Sequence, residues 1–223
     1  MKKILYIYIV LYSSFCFSQN IFLTEAKEIH ANSDKFLYAL KEEPKTDAQY
    51  LGKIEVSGFS NDDAAVFSEI YKKAKSIGGN SYFMKPAENI EGNSTFNPHH
   101  YILYIYYKEK KTIPQKENTV YIINPEKEIE VRINNKKIKL PQRSFLQLDL
   151  SQQEITDISV GKFLGSRIKL QAKNNQPEQY FQISGKKIST NSPVSPGINY
   201  KTGDIIALEK SFAEFLLTIY EKI

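Results

Sequence analysis

The chain carries a single cysteine, no tryptophan, two methionines and three histidines. The cysteine, Cys16, lies in an N-terminal leader, so the exported part of the chain would hold no thiol. That excludes disulfides, thiolate metal sites and cysteine nucleophiles from the mature protein. With His30, His99 and His100 as the only imidazoles, general bases are scarce. Phosphate-binding glycine loops, dinucleotide fingerprints, G-x-S-x-G elbows and H-E-x-x-H pairs are all missing. Nor does one sign of charge dominate. The formal charge is +5, and losing Lys2 and Lys3 makes it +3, too mild to imply a nucleic-acid partner. After the leader, no apolar run approaches the ~20 residues of a spanning helix.

What is present begins with that leader. Lys2 and Lys3 form a charged start, Ile4 to Tyr12 an apolar run, and Cys16 and Ser18 put small residues at the −3 and −1 positions. The pattern predicts a secretory signal peptide over residues 1–18, cleaved before Gln19. Lipidation of Cys16 is the alternative, opposed by Phe15 where a small residue is wanted. Removing residues 1–18 from 223 leaves 205, enough to bury a core without disulfides.

From Gln49 to Met84 the local signals agree. Lys53-Ile54-Glu55-Val56-Ser57 alternates as a half-buried strand does. Ser60 is placed to cap a helix, with Asp62 and Asp63 near its positive end. Phe67, Ile70, Tyr71, Ala74 and Ile77 form one apolar stripe. Gly78 stands where a left-handed residue ends a helix, and Ser81 to Met84 reads as a short buried strand. Leu51-Gly52-Lys53-Ile54, then Ala74-Lys75-Ser76-Ile77-Gly78-Gly79-Asn80-Ser81, resembles the βαβ domain of the Rcs stress-sensor lipoprotein and its heavy-metal-binding-like envelope relatives. The likeness covers Gln49 to Lys108. It implies a fold and an envelope setting; several of those relatives have no assigned activity, and the sensor's disulfides have no counterpart here.

Ile21-Phe22-Leu23 reads as a strand and Lys35 to Leu40 as another or as a helical turn, and this stretch can add an edge strand to the unit. Lys85 to His99 is a polar loop, long for a connection, containing the acceptor pattern Asn93-Ser94-Thr95. His99 and His100 invite a metal reading, but neighbours on a strand point to opposite faces. Tyr101 to Tyr107 reads as a central strand, with a stacking platform for bases or sugars as the sharper alternative.

Lys108 to Asn118 is charged, contains Pro114 and lacks periodicity, so residues 111–118 are taken as a linker with solvated basic residues. Beyond it, Thr119–Asn124, Glu128–Ile133, Lys136–Leu140, Phe145–Leu150, Arg167–Gln171 and Gln179–Ser184 read as short strands of an antiparallel sandwich. Asn134-Asn135 marks a tight hairpin. Glu126, Glu128 and Glu130 share one strand face, which is read as solvated rather than calcium-binding. Glu178-Gln179-Tyr180-Phe181 weakly resembles a strand of small periplasmic β-sandwich domains of unknown function. Asn191 to Gly203 reads as a loop. Phe212, Phe215, Leu216, Ile219, Tyr220 and Ile223 keep helical spacing to the end.

The expected fold is therefore α+β: a βαβ sheet domain with one packed helix over residues 19–110, then a mostly antiparallel β-sandwich with a C-terminal helix over 119–223. No catalytic, cofactor-binding or metal-ligating residue is assigned, and no cofactor. The expected function is that of a non-enzymatic exported envelope protein acting in sensing, scaffolding or assembly through an envelope protein partner, with membrane-surface association open. A periplasmic small-ligand or metal-binding protein using the Lys85–His99 loop is the alternative, and a hydrolase the third. The Tyr- and Ile-rich leader resembles those of the Bacteroidota, which implies a Gram-negative periplasm.

Overall fold

A computed structural model describes residues 19–87, 96–161, 165–185, 187–190, 198–201 and 203–223. The expected leader, Cys16 and the Asn93-Ser94-Thr95 pattern lie outside them. The fold is α+β with mostly antiparallel sheets, and the chain divides into two compact units between Ile113 and Pro114.

In the first unit, strands β1 (Asn20–Ala26), β2 (Tyr38–Ala39), β3 (Gln49–Ser57), β4 (Ser81–Pro86) and β5 (His100–Tyr107) form one sheet in the order β1-β3-β5-β4-β2. β5 is antiparallel to both β3 and β4, so those two run parallel with β5 between them, a split βαβ unit. Helix α1 (Asp63–Ser76) connects β3 to β4. Its Val66, Phe67, Ile70 and Ala74 are buried, as are Ile54 and Val56 of β3 and Tyr101, Leu103 and Ile105 of β5. These side chains fill one face of the sheet, each fully buried Ile or Leu contributing about 1.5–3 kcal/mol.

The cap of α1 sits two residues later than the sequence suggests. Asp62, not Ser60, is the N-cap: its carboxylate accepts from the Ala65 amide at 2.9 Å. Ser60 accepts from the Asp62 amide instead, shaping the turn that delivers the cap. At the other end Gly78 has φ +81°, and the Gly78 and Gly79 amides donate to Lys75 O and Ala74 O. This is a Schellman ending.

Backbone and side-chain contacts to α1, rather than their own periodicity, shape residues 27–37. The His30 amide donates to Ile77 O, and Asn32 donates to Gly78 O. Lys75 donates to the carbonyls of Asp34, Phe36 and Gly79 at 2.8, 2.6 and 3.0 Å. Burial draws its ammonium below the usual lysine range, with Asp34 pulling the other way. Lysine near a helix end is expected from the dipole alone; here it also supplies donors to partly buried carbonyls.

The second unit contains β6 (Thr119–Asn124), β7 (Ile129–Ile133), β8 (Lys136–Leu140), β9 (Ser144–Asp149), β10 (Thr156–Val160), β11 (Ser166–Leu170), β12 (Gln179–Ser184), β13 (Lys187–Thr190), β14 (Ile198–Lys201), β15 (Asp204–Ala207) and β16 (Glu221–Lys222), with helix α2 (Lys210–Ile219) before the last. One sheet runs β11-β10-β7-β8 and the other β15-β12-β6-β9-β16, with β13-β14 a separate pair. Val120, Ile122, Val131, Ile133, Leu140, Ile158, Val160 and Ile183 pack between the two large sheets. β6 is buried along its whole length, because α2 covers the outer side of its sheet. Asn134 and Asn135, at φ +48° and +67°, make the expected tight turn between β7 and β8.

Several expectations are corrected here. β10, central in its sheet, has an ordinary polar-rich sequence, TDISV, and is made a strand by pairing with β7 and β11. Within the stretch read as a loop, Ile198–Lys201 pairs with Lys187–Thr190. The C-terminal helix stops at Ile219. Tyr220 is extended and Glu221–Lys222 pairs parallel with β9, so the helical spacing of Tyr220 and Ile223 is coincidental. The β6–β12 pair is also parallel, within otherwise antiparallel ladders.

The boundary between the two units falls within residues 111–118, and the charged stretch around it is tied down on both sides. Lys108 is only 8% exposed and is paired with Asp47. That contact holds the Asp47 carboxyl below the usual aspartate range. Residues Lys110–Thr112 form a 3-10 turn, and Ile113 is buried. On the other side the Asn118 amide donates to Gln176 O, while its side chain accepts from the Lys173 amide.

Candidate functional site

The sheet of the first unit leaves one face open. Along β5, Tyr101, Leu103 and Ile105 turn inward, so Ile102 and Tyr104 turn outward, while Tyr106 on their side is itself buried. Their cross-strand partners extend the face: Phe22, Glu55, Ile102 and Lys85 form one row, Lys53, Tyr104 and Phe83 the next, and Tyr50 with Tyr106 a third. A bulge between Tyr50 and Gly52 keeps Tyr50 on this side while Leu51 is fully buried.

Charge and aromatic rings alternate on the face. Lys85 and Lys53 stand over the Tyr104 ring at 4.9 and 5.7 Å, and Lys27 over Tyr50 at 5.8 Å. Such contacts contribute about 0.5–1 kcal/mol each when exposed. Lys85 also pairs with Glu43 at 2.6 Å, Lys53 with Glu25 at 3.8 Å, and His100 Nε2 with Glu55 at 2.9 Å. Partly exposed pairs of this kind add little stability. Burial first, then the Glu25 carboxylate, pushes the Tyr50 hydroxyl well above the usual tyrosine range; burial and Glu43 do the same to Tyr106. Both hydroxyls stay protonated, and that of Tyr50 is engaged with the Glu25 carboxylate. Phe22, at 56% exposed, marks the apolar end of the face on edge strand β1.

The residues singled out by sequence do not assemble around one centre. His99 packs against Phe59 at 4.9 Å, His100 pairs with Glu55, and His30 stacks on Tyr107 at 3.8 Å. Among the described residues no group of three His, Cys, Asp or Glu side chains is placed to hold a metal ion. Most of the Lys85–His99 loop, residues 88–95, lies outside the described residues. Glu128 and Glu130 form cross-strand pairs with Lys139 and Lys137. Of the tyrosine run, Tyr104 reaches the open face, and Tyr101 and Tyr106 are buried. Phe22, Tyr50, Lys53 and Phe83 were missed as site residues. Strict alternation with β5 could have found them, had the register been known.

In the second unit a polar cluster holds α2 to its sheet. The Tyr180 hydroxyl donates to Glu178 at 2.7 Å, and Lys210 lies 3.5 Å from both Glu178 and Glu214. Tyr180 stacks on Tyr121 at 5.2 Å. The Tyr121 hydroxyl is pushed up to about 12, by burial first and then by Glu178, Asp149 and Glu214. Burial, then the charge of Glu214, raises Tyr180 still further. For a raised acid, the stabilisation is complete below the unfolded value near ~10 and is lost as pH rises through the folded value. Stability is therefore expected to decline above about pH 10, with the last tyrosines ionising only as the protein unfolds. A tyrosinate absorbance titration against circular dichroism checks this; ionisation of every tyrosine near pH 10 with the fold intact would contradict it.

No protein-family model, no curated protein and no solved structure matches the chain. Among the described residues, no helix is long and apolar enough to cross a membrane. The fold and the open face thus define an α+β protein with a β-sandwich unit and a mixed-charge aromatic sheet face.

Proposed function

We propose that this is a non-enzymatic exported envelope protein that works by binding a protein partner in sensing, scaffolding or assembly. The observation that carries the reading is the open face of the first sheet. Aromatic and aliphatic side chains, Phe22, Phe83, Ile102 and Tyr104, are interleaved there with lysines and glutamates of both signs. Aromatic residues are enriched at protein interfaces, and paired charges of both signs suit another protein surface better than a polyanion. The expected leader supports the exported setting, in a Gram-negative periplasm.

The test is affinity capture from cell envelopes with wild type and an Ile102→Glu, Tyr104→Ser variant. Intact mass should first show a mature chain starting at Gln19. The wild type should retain a stoichiometric protein partner that the variant loses, with both proteins melting within a few degrees of each other. Equal retention by the variant, or no stable partner for either, would refute the reading.

A further inference from the structure

The second unit holds a cleft of about 550 Å³ whose lining includes Ile155, Lys169, Leu170, Lys173, Gln176 and Gln179. Its size falls in the range of small-ligand sites. The sheets form it: Leu170 ends β11 and packs against the core, Gln179 opens β12, and Ile155 immediately precedes β10.

The intervening loop is held in place without a ligand. Asn118 accepts from the Lys173 amide at 2.9 Å, the Gln176 carbonyl accepts from the Asn118 amide, and the Ala172 amide donates to Ser151 O. Gln171 donates to Gln152 O at 2.7 Å, and Gln152 donates to Asn174 at 3.1 Å. The cleft is therefore preformed, which reduces the ordering cost of binding.

Its chemistry is selective. No lining residue is acidic, and Lys169 and Lys173 bring positive charge. Ile155, 56% exposed, gives the rim an apolar surface, with Leu170 beside it. The side-chain oxygens of Gln176 and Gln179 are shut off from solvent and have no hydrogen-bond partner within the protein. Buried acceptors normally have donors. Neither oxygen faces the cleft as it stands; the last torsion of a glutamine is broad, and turning either amide about it would present the oxygen there.

We infer that this cleft binds a small acidic sugar. A carboxylate would meet Lys169 and Lys173, hydroxyls would supply donors to the Gln176 and Gln179 oxygens, and the sugar's C–H face would lie on Ile155 and Leu170. The site is independent of the open face of the first unit and of the partner proposed for it.

The experiment is a ¹H–¹⁵N titration of the full chain with D-glucuronate, D-glucose and inorganic phosphate. Glucuronate should saturably shift the amides of Lys173, Asn174, Gln176 and Gln179, at lower concentration than either control. Replacing Lys169→Gln and Lys173→Gln together should weaken glucuronate by about tenfold or more, as expected when charged hydrogen bonds are lost. Gln179→Leu removes a buried oxygen that has no partner, so it should weaken binding without lowering the thermal midpoint. Phosphate binding as tightly as glucuronate would reduce the cleft to a general anion patch and overturn the ligand class. Absence of saturable shifts, or full binding by a well-dispersed Gln179→Leu protein, would overturn the site.

Discussion

Gly78→Ala should cost about 3 kcal/mol, the sum of a left-handed backbone penalty and a backbone clash. Gly78 has φ +81°, and a Cβ built there would stand 1.7 Å from His30 O. Neither term can be relieved locally. The Gly78 amide closes the Schellman ending, while the His30 amide donates to Ile77 O and brings the His30 backbone down onto the turn. Relaxing one contact therefore pulls against the other. For a chain of this size the thermal midpoint should fall by roughly 6–12 °C. Gly185→Ala is the control: nothing lies within 4 Å of its added carbon, and the change should stay within about 0.5 kcal/mol. Equal midpoints for the two variants in a calorimetric scan would show that the turn tolerates a side chain.

Asn80→Ala should cost about 2–5 kcal/mol, because it strands two buried backbone groups at once. Asn80 is 2% exposed. Its amide nitrogen donates to Lys108 O at 2.7 Å and its oxygen accepts from the Lys108 amide at 2.9 Å. The pair fastens the end of β5 beside the start of β4. Asn80→Asp separates the two bonds. The introduced carboxylate can still accept from the Lys108 amide, but when ionised it faces the Lys108 carbonyl without a proton to donate. Burial and that carbonyl would raise its folded pKa above the unfolded aspartate value near ~3.9. The variant's stability should thus be greatest below that value and decline as pH rises through the folded pKa. Denaturant midpoints measured from pH 3 to 8 check the sign; an aspartate variant whose stability, relative to wild type, improves toward neutral pH would refute the pairing.

These two residues show how far local sequence reaches. Gly78 was legible because a glycine after an amphipathic stripe has a local meaning: it supplies positive φ where the helix must end. Asn80 stands just after the same turn, and nothing in the local sequence announces its larger role. Its partner is Lys108, separated from it by the whole of β4 and β5. Likewise Ser60 and Asp62 are both good caps, and only the position of the first helical turn decides between them. The same divide explains the sandwich. Asn134-Asn135 announced its hairpin, because both residues tolerate the left-handed backbone that a two-residue turn requires. The neighbouring β10 gave no such sign. Its Asp157 and Ser159 face outward while Ile158 and Val160 complete a core supplied by other strands.

The candidate face of the first unit follows the same logic. Tyr101 to Tyr107 declared a strand, but its composition, apolar on alternate and intervening positions alike, left both faces equally suited to burial. Packing of α1 on one side assigned Tyr101, Leu103 and Ile105 to the core and left Ile102 and Tyr104 outward. Strand register then set Phe83 beside Tyr104 and Glu55 beside Ile102.

The sequence by itself determined the α+β class, the main strands, the two helices and the turns, because capping, periodicity and positive φ are settled within a few residues. It also excluded thiol chemistry from any chain cleaved before Gln19. The tertiary structure alone decided which face of the first sheet is open, that Lys108 is buried, and that the chain ends in a strand. Each of these depends on a partner distant in sequence: α1 for the open face, Asp47 and Asn80 for Lys108, and the edge of β9 for Glu221 and Lys222.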